Sequence, residues 1–121
     1  MKLTNFAVNS KAEVDDAIVV KGDYGNERVV AEIPRIALDD YFPHRPSLTA
    51  AQRYSLVESN SEIIAEIVAR KCERGEWRSV PRFGSTIKQV DLDKADLLSG
   101  PRLSDARLVM EETAHFSGAL R

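Results

Sequence analysis

The chain has little of several features that mark specialised classes of protein. It contains one cysteine, Cys72, so an internal disulfide is excluded and an oxidising compartment is not implied. Aromatic residues make up only 7% of its 121 residues, so aliphatic side chains must form most of the core. No segment reaches the roughly 18 apolar residues of a membrane-spanning helix, and no signal-peptide-like stretch follows Met1. We therefore expect a cytoplasmic protein with no membrane partner.

Neither sign of charge dominates the composition. Charged residues make up 30% of the chain, with a formal net charge of -2. This balance gives no global reason to expect a nucleic-acid partner. What is present is a hydrophobic fraction of 43%, which is enough to build one core in a chain of single-domain length.

The segment from Thr49 to Gly75 has the pattern of one long amphipathic helix. Thr49 and Gln52 have the spacing of a capping box, and Gly75 is typical of the residue that ends a helix. Asn60 falls inside the apolar stripe and predicts a buried amide that bonds to a neighbouring loop. The stripe consists of residues that recur every three or four positions: Leu56, Val57, Ile63, Ile64, Ile67, Val68 and Cys72.

Strand patterns flank this helix on both sides. Two β-branched runs, 17–20 and 27–33, are separated by a turn containing two glycines and predict a β-hairpin. Pro34 ends the second run and suits the start of a short helix over 36–42. Residues 86–90 alternate in polarity and predict a later strand, and residues 91–98 either continue it or form a helical turn.

Together these elements predict one α+β domain over residues 1–98. A small, mainly antiparallel sheet, made of the hairpin and the C-terminal strand, packs on one long helix, with a short helix before it. Apolar residues near the N-terminus hint at a first strand within 1–16. The Ser-Gly-Pro sequence at 99–101 is a boundary signal, so residues 99–121 are predicted to be a linker and a C-terminal helical extension.

The block from Arg28 to Phe42, followed by the helix with Asn60, Ile63 and Ala69, resembles a family of short bacterial proteins. This family is known as domain of unknown function 1488. Its members run from a hairpin strand into a helix that ends Ala-Leu-acid-acid-aromatic-Phe. A second helix and a strand with a final acid-Leu pair follow, here Asp91-Leu92 or Asp96-Leu97. The resemblance covers roughly residues 14–97 and implies no activity, cofactor or catalytic residue.

The residue types of common catalytic and metal sites are sparse. His44 and His115 stand alone, without the ligand spacing of a metal site. Cys72 continues the apolar stripe and is interpreted as a small buried hydrophobe. Paired acids such as Asp39-Asp40 are most simply solvated faces. We therefore assign no catalytic, cofactor-binding or metal-binding residue.

One segment, 70–88, is locally basic, with six basic residues against two acidic ones. Basic side chains interleaved with aromatics suit phosphate contact and base stacking. The structural alternative is that the arginines complement the helix C-terminus while the tryptophan folds into the core. The candidate nucleic-acid-binding residues are Arg70, Arg74, Trp77, Arg78 and Arg82.

Three function classes remain open on this basis. The first is a small, non-enzymatic accessory or regulatory protein that binds a protein partner or associates with itself. The second is a nucleic-acid-binding domain that uses the basic segment. The third, ranked last, is a small enzyme, because the sequence contains no recognisable nucleophile–base pair or metal set.

Overall fold

The computed structural model describes residues 2–14, 17–42, 48–82 and 84–105. Five strands and four helices lie within this described part, which confirms the α+β class. In chain order they are β1 (Thr4–Val14), β2 (Ala17–Tyr24), β3 (Glu27–Pro34), α1 (Arg35–Tyr41), α2 (Ala50–Ser59), α3 (Ser61–Glu73), β4 (Arg78–Arg82), β5 (Ser85–Asp91) and α4 (Lys94–Leu98).

The five strands form one sheet in the order β1-β2-β3-β5-β4. Three neighbouring pairs are antiparallel, as predicted, but β3 and β5 run parallel. A parallel pair needs a long crossover, and here the crossover contains α1, α2, α3 and the edge strand β4. The register pairs Val30 with Gln89, so β5 lies beside the second strand of the hairpin.

The alternation of side chains divides the sheet into two faces. Val29, Ala31 and Ile33 pack with helix residues in the main core, so they lie on the face of the sheet that the helices cover. Val19, Val30 and Ile87 form a separate, smaller cluster on the opposite face.

The single long helix predicted over residues 49–75 is instead two helices that meet at Asn60. The capping box is confirmed, since the Gln52 amide donates to Thr49 Oγ1 at 3.1 Å and the Thr49 amide donates to Gln52 Oε1 at 2.9 Å. At Asn60 the backbone leaves helical geometry, with φ -108° and ψ 22°. At this point the Ser59 hydroxyl and the Asn60 side chain donate to the Ser55 and Leu56 carbonyls in the last turn of α2, a local pattern that often bends helices.

The apolar stripe of α3 faces the sheet. Ile64, Ile67, Val68 and Cys72 are buried, while Ile63 is only half-buried. Gly75 has φ +73°, as expected for the residue that follows a helix end.

The regions whose secondary structure the sequence did not decide form strands and a short helix. After Gly75 the chain forms β4 and pairs with β5. The hinted first strand is present as β1. Asp93 caps α4, because its carboxylate accepts from the Asp96 amide at 2.9 Å, and this hydrogen bond lowers the pKa of the Asp93 carboxyl.

Beyond the boundary predicted at residue 99, the chain continues to pack against the fold. Leu103 is 2% exposed and belongs to the main core. Residues 102–105 have no helical structure, so the predicted C-terminal helix does not begin at Leu103. The rest of that extension, residues 106–121, lies outside the described residues. The packed domain therefore includes residues 99–105, because Leu103 fills a place in the core.

We expect Ile64→Ala to lower the free energy of unfolding by about 2–5 kcal/mol, because it leaves a cavity in the core. Ile63→Ala is the matched control and should cost clearly less, since Ile63 is only half-buried. Denaturant unfolding measures both values. Equal losses at the two positions would contradict the placement of the buried stripe.

We also expect truncation after Leu98 to lower the thermal midpoint, because it removes Leu103 from the core. Truncation after Asp105 is the control, since it keeps every described residue of this segment. Calorimetry of the two truncated chains provides the comparison. Identical midpoints would mean that residues 99–105 do not stabilise the fold.

Candidate functional site

A groove with a volume of about 700 Å³ runs along the outer side of α3. We call it the α3 groove. Its other wall comes from the start of β1 and from the segment after α4. The lining residues are Lys2, Leu3, Glu62, Ala65, Glu66, Ala69, Arg70, Glu73 and Pro101.

The helical period explains which α3 side chains line the groove. Glu62, Glu66, Ala69 and Glu73 follow one another at intervals of three or four residues and therefore share a face. This face is distinct from the stripe that is buried against the sheet. The sequence did not predict this groove, because nothing in the local pattern shows that another segment lies opposite α3.

Two glycines allow the opposite wall to approach closely. A Cβ on Gly22 would lie 3.2 Å from the Thr4 carbonyl oxygen, so the missing side chain lets the start of β1 lie close against β2. A Cβ on Gly100 would lie 3.0 Å from Arg70 Nη2 and 3.3 Å from Ile67 Cγ1. The chain that reaches Pro101 can therefore run directly against α3.

The α3 groove combines an apolar floor with charges of both signs. Leu3, Ala65 and Ala69 supply apolar surface, while carboxylates and two cationic side chains line the walls. Such a surface can hold a peptide segment through apolar contact and charge pairing. Its lining contains no hydroxyl, thiol or imidazole group.

The candidate basic residues lie on different parts of the molecule. Arg70 lines the α3 groove, and Arg74 is exposed at the C-cap of α3. Arg78 lies on β4 beside Gln89, and its Nη2 is 3.2 Å from Asp91 Oδ2. Arg82 is the last residue of β4, and its side chain lies outside the described part of the structure. Arg70 and Arg78 do not share a surface, because α3 covers the sheet face opposite to that of Gln89 and Arg78.

Trp77 is 36% exposed and one of its ring faces is occupied. Lys88 Nζ lies 4.0 Å from the centroid of the Trp77 ring and 2.8 Å from Glu27 Oε2. This ammonium is in the geometry of a cation–π contact, so that face is unavailable for stacking a base. From the sequence, Lys88 is only one of the six basic residues of segment 70–88. Its pairing with Glu27 depends on strand register and is not visible in the local pattern.

Cys72 is buried, in agreement with its place in the apolar stripe. Burial raises the pKa of its thiol, and the nearby charge of Lys88 opposes that change only in part. The thiolate is therefore disfavoured, and with it nucleophilic reactivity.

The described residues contain neither a cluster of metal ligands nor a helix that could span a membrane. No group of three or more His, Cys, Asp or Glu residues is placed there to hold a metal ion. His44 and His115 lie outside the described ranges. None of the described helices has the length and apolar character that a bilayer crossing requires.

Comparisons with known proteins add no relative. No family model matches the chain, and neither a curated protein nor a solved structure matches it.

We expect the fluorescence of Trp77 to remain unchanged when a single-stranded oligonucleotide is added at physiological salt. Lys88 covers one ring face, and Asp91 pairs with Arg78. Titration by fluorescence and anisotropy tests this, with Asp91→Asn as a comparison variant that removes the carboxylate beside Arg78. Binding that weakens with salt by a log–log slope of about 0.7 per phosphate contact and is lost in Trp77→Ala would contradict the expectation.

Proposed function

We propose that this chain is a non-enzymatic accessory or regulatory protein of the cytoplasm that binds a protein partner through the α3 groove. The observation that carries the proposal is the groove itself, which combines a volume of about 700 Å³ with apolar and charged lining. The cytoplasmic assignment rests on the lone, buried thiol of Cys72, which suits a reducing compartment.

The lining favours a particular kind of partner segment. The groove side of α3 carries Glu62, Glu66 and Glu73 against one cationic side chain, Arg70. A segment that places an apolar side chain on Leu3 and Ala69 and a basic side chain beside Glu66 would match this surface. The proposed partner is therefore a protein with an exposed, basic and apolar segment.

We also propose membership of the family known as domain of unknown function 1488. The support is the element order, in which a hairpin leads through a short helix to the helices and then to a strand that ends at Asp91. The nucleic-acid alternative has less support, because Arg70 and Arg78 lie on different surfaces and Lys88 covers Trp77.

The test is affinity purification from the native host with tagged wild-type, Glu66→Lys and Glu76→Lys proteins. Glu76→Lys makes the same charge change at an exposed position outside the groove, so it is the matched control. We expect a partner protein to be recovered by the wild type and the control and to be depleted at least about tenfold with Glu66→Lys, which corresponds to about 1.4 kcal/mol.

Circular dichroism melting should first establish that all three proteins are folded. A partner that Glu66→Lys retains fully would contradict the groove as the binding site. Recovery of no partner, together with a monomeric mass in sedimentation, would contradict the proposed function as a whole.

A further inference from the structure

Residues 102–105 are held by one buried side chain and by hydrogen bonds to their backbone, as a bound peptide is. We call this segment the strap. The Leu103 side chain is buried in the main core, beside elements that lie far away in the sequence. The backbone of the strap meets two side chains of the helix layer. The Leu103 amide donates to Tyr41 Oη at 2.8 Å, and the Ser104 amide donates to Asn60 Oδ1 at 2.8 Å.

The contact between Asn60 and Ser104 is reciprocal. Asn60 Nδ2 donates to the Ser104 carbonyl oxygen at 2.9 Å, so one carboxamide satisfies both polar backbone groups of one residue. This pairing depends on the peptide backbone and not on the identity of the side chain. Main-chain hydrogen bonds that supply affinity, with one apolar anchor that supplies specificity, are the general pattern of short-peptide recognition.

The two side chains that bind the strap, Asn60 and Tyr41, make further contacts within the helix layer. Asn60 Nδ2 also donates to the Leu56 carbonyl oxygen at 2.8 Å, which fixes the orientation of the amide. Tyr41 packs edge-on against the buried Phe42, with ring centroids 4.8 Å apart. The two side chains that hold the strap are therefore also held by contacts with the helix layer.

The chain before the strap allows it to leave without unfolding a helix. Helix α4 is the last helix of the described residues and ends at Leu98, and the Ser-Gly-Pro sequence at 99–101 connects it to the strap. The Leu103–Tyr41 and Ser104–Asn60 hydrogen bonds join residues 62 and 44 positions apart, so these two attachments of the strap are tertiary contacts.

We propose that Tyr41, Asn60 and the pocket that receives Leu103 form a peptide-docking site, which the strap fills in cis as an intramolecular competitor. The external occupant is an extended segment of a partner protein with a leucine followed by a small residue, as in the Arg-Leu-Ser-Asp sequence of the strap. This site differs from the α3 groove, and the proposal holds independently of the proposed function.

The test uses the full chain and a labelled synthetic peptide with the sequence of residues 99–105. In the wild type the strap competes at an effective concentration of the order of millimolar, so the peptide should bind weakly. Leu103→Ala weakens the strap, and we expect it to bind the peptide at least about tenfold more tightly than the wild type does. A peptide with alanine in place of leucine is the control ligand.

Asn60→Ala in the Leu103→Ala background should abolish the gain, because the groups that pair with the peptide backbone are removed. Equal binding by the wild type and Leu103→Ala, or binding that Asn60→Ala leaves unchanged, would overturn the proposal. Cross-links between position 103 of one copy and position 60 of another would assign the site to a second copy, which also overturns it.

Hydrogen exchange of the wild-type protein keeps the proposal testable if Leu103→Ala does not fold. An exchangeable strap predicts that the Leu103 and Ser104 amides exchange through local opening, faster than the Ile67 amide of α3. Exchange of all three amides at the rate of global unfolding would show that the strap does not detach, and would overturn the proposal.

Discussion

The carboxamide of Asn60 is a buried polar group on which three parts of the structure depend. It bonds to the carbonyl that ends α2, it lies where α3 begins, and it pairs with the backbone of Ser104. A buried amide without these partners would cost about 1–3 kcal/mol for each unsatisfied group. The angle between α2 and α3 and the position of the chain after α4 are therefore linked through one side chain.

This linkage also shapes the α3 groove. Because the strap is held at the N-terminal end of α3, the chain between α4 and the strap must run along that helix. Gly100 allows the close approach to Ile67 and Arg70, and Pro101 becomes part of the groove wall. The two proposed binding sites are thus neighbours in space.

Ion pairs engage three of the six cations of the locally basic segment. Lys71 pairs with Asp96 at 2.8 Å and joins α3 to α4, while Lys88 pairs with Glu27 across β5 and β3. Arg78 pairs with Asp91 on the other face of the sheet. Each cation meets an acid from a distant part of the sequence, so a count of charges along the chain overstates what a phosphate backbone would meet.

What the sequence determined by itself depends on neighbours within a few residues. The Thr49–Gln52 capping box, the hairpin turn, the burial of Ile64 and the left-handed Gly75 are all of this kind, since hydrophobic period and turn chemistry are local. The amide of Asn60 was also predicted to be buried. Its bond to a neighbouring loop was predicted too, but the identity of that loop, residues 102–105, was not, nor were the helix break, the parallel β3–β5 pair, β4 or the α3 groove. These features depend on contacts between residues tens of positions apart, and only the tertiary structure decides which segments meet.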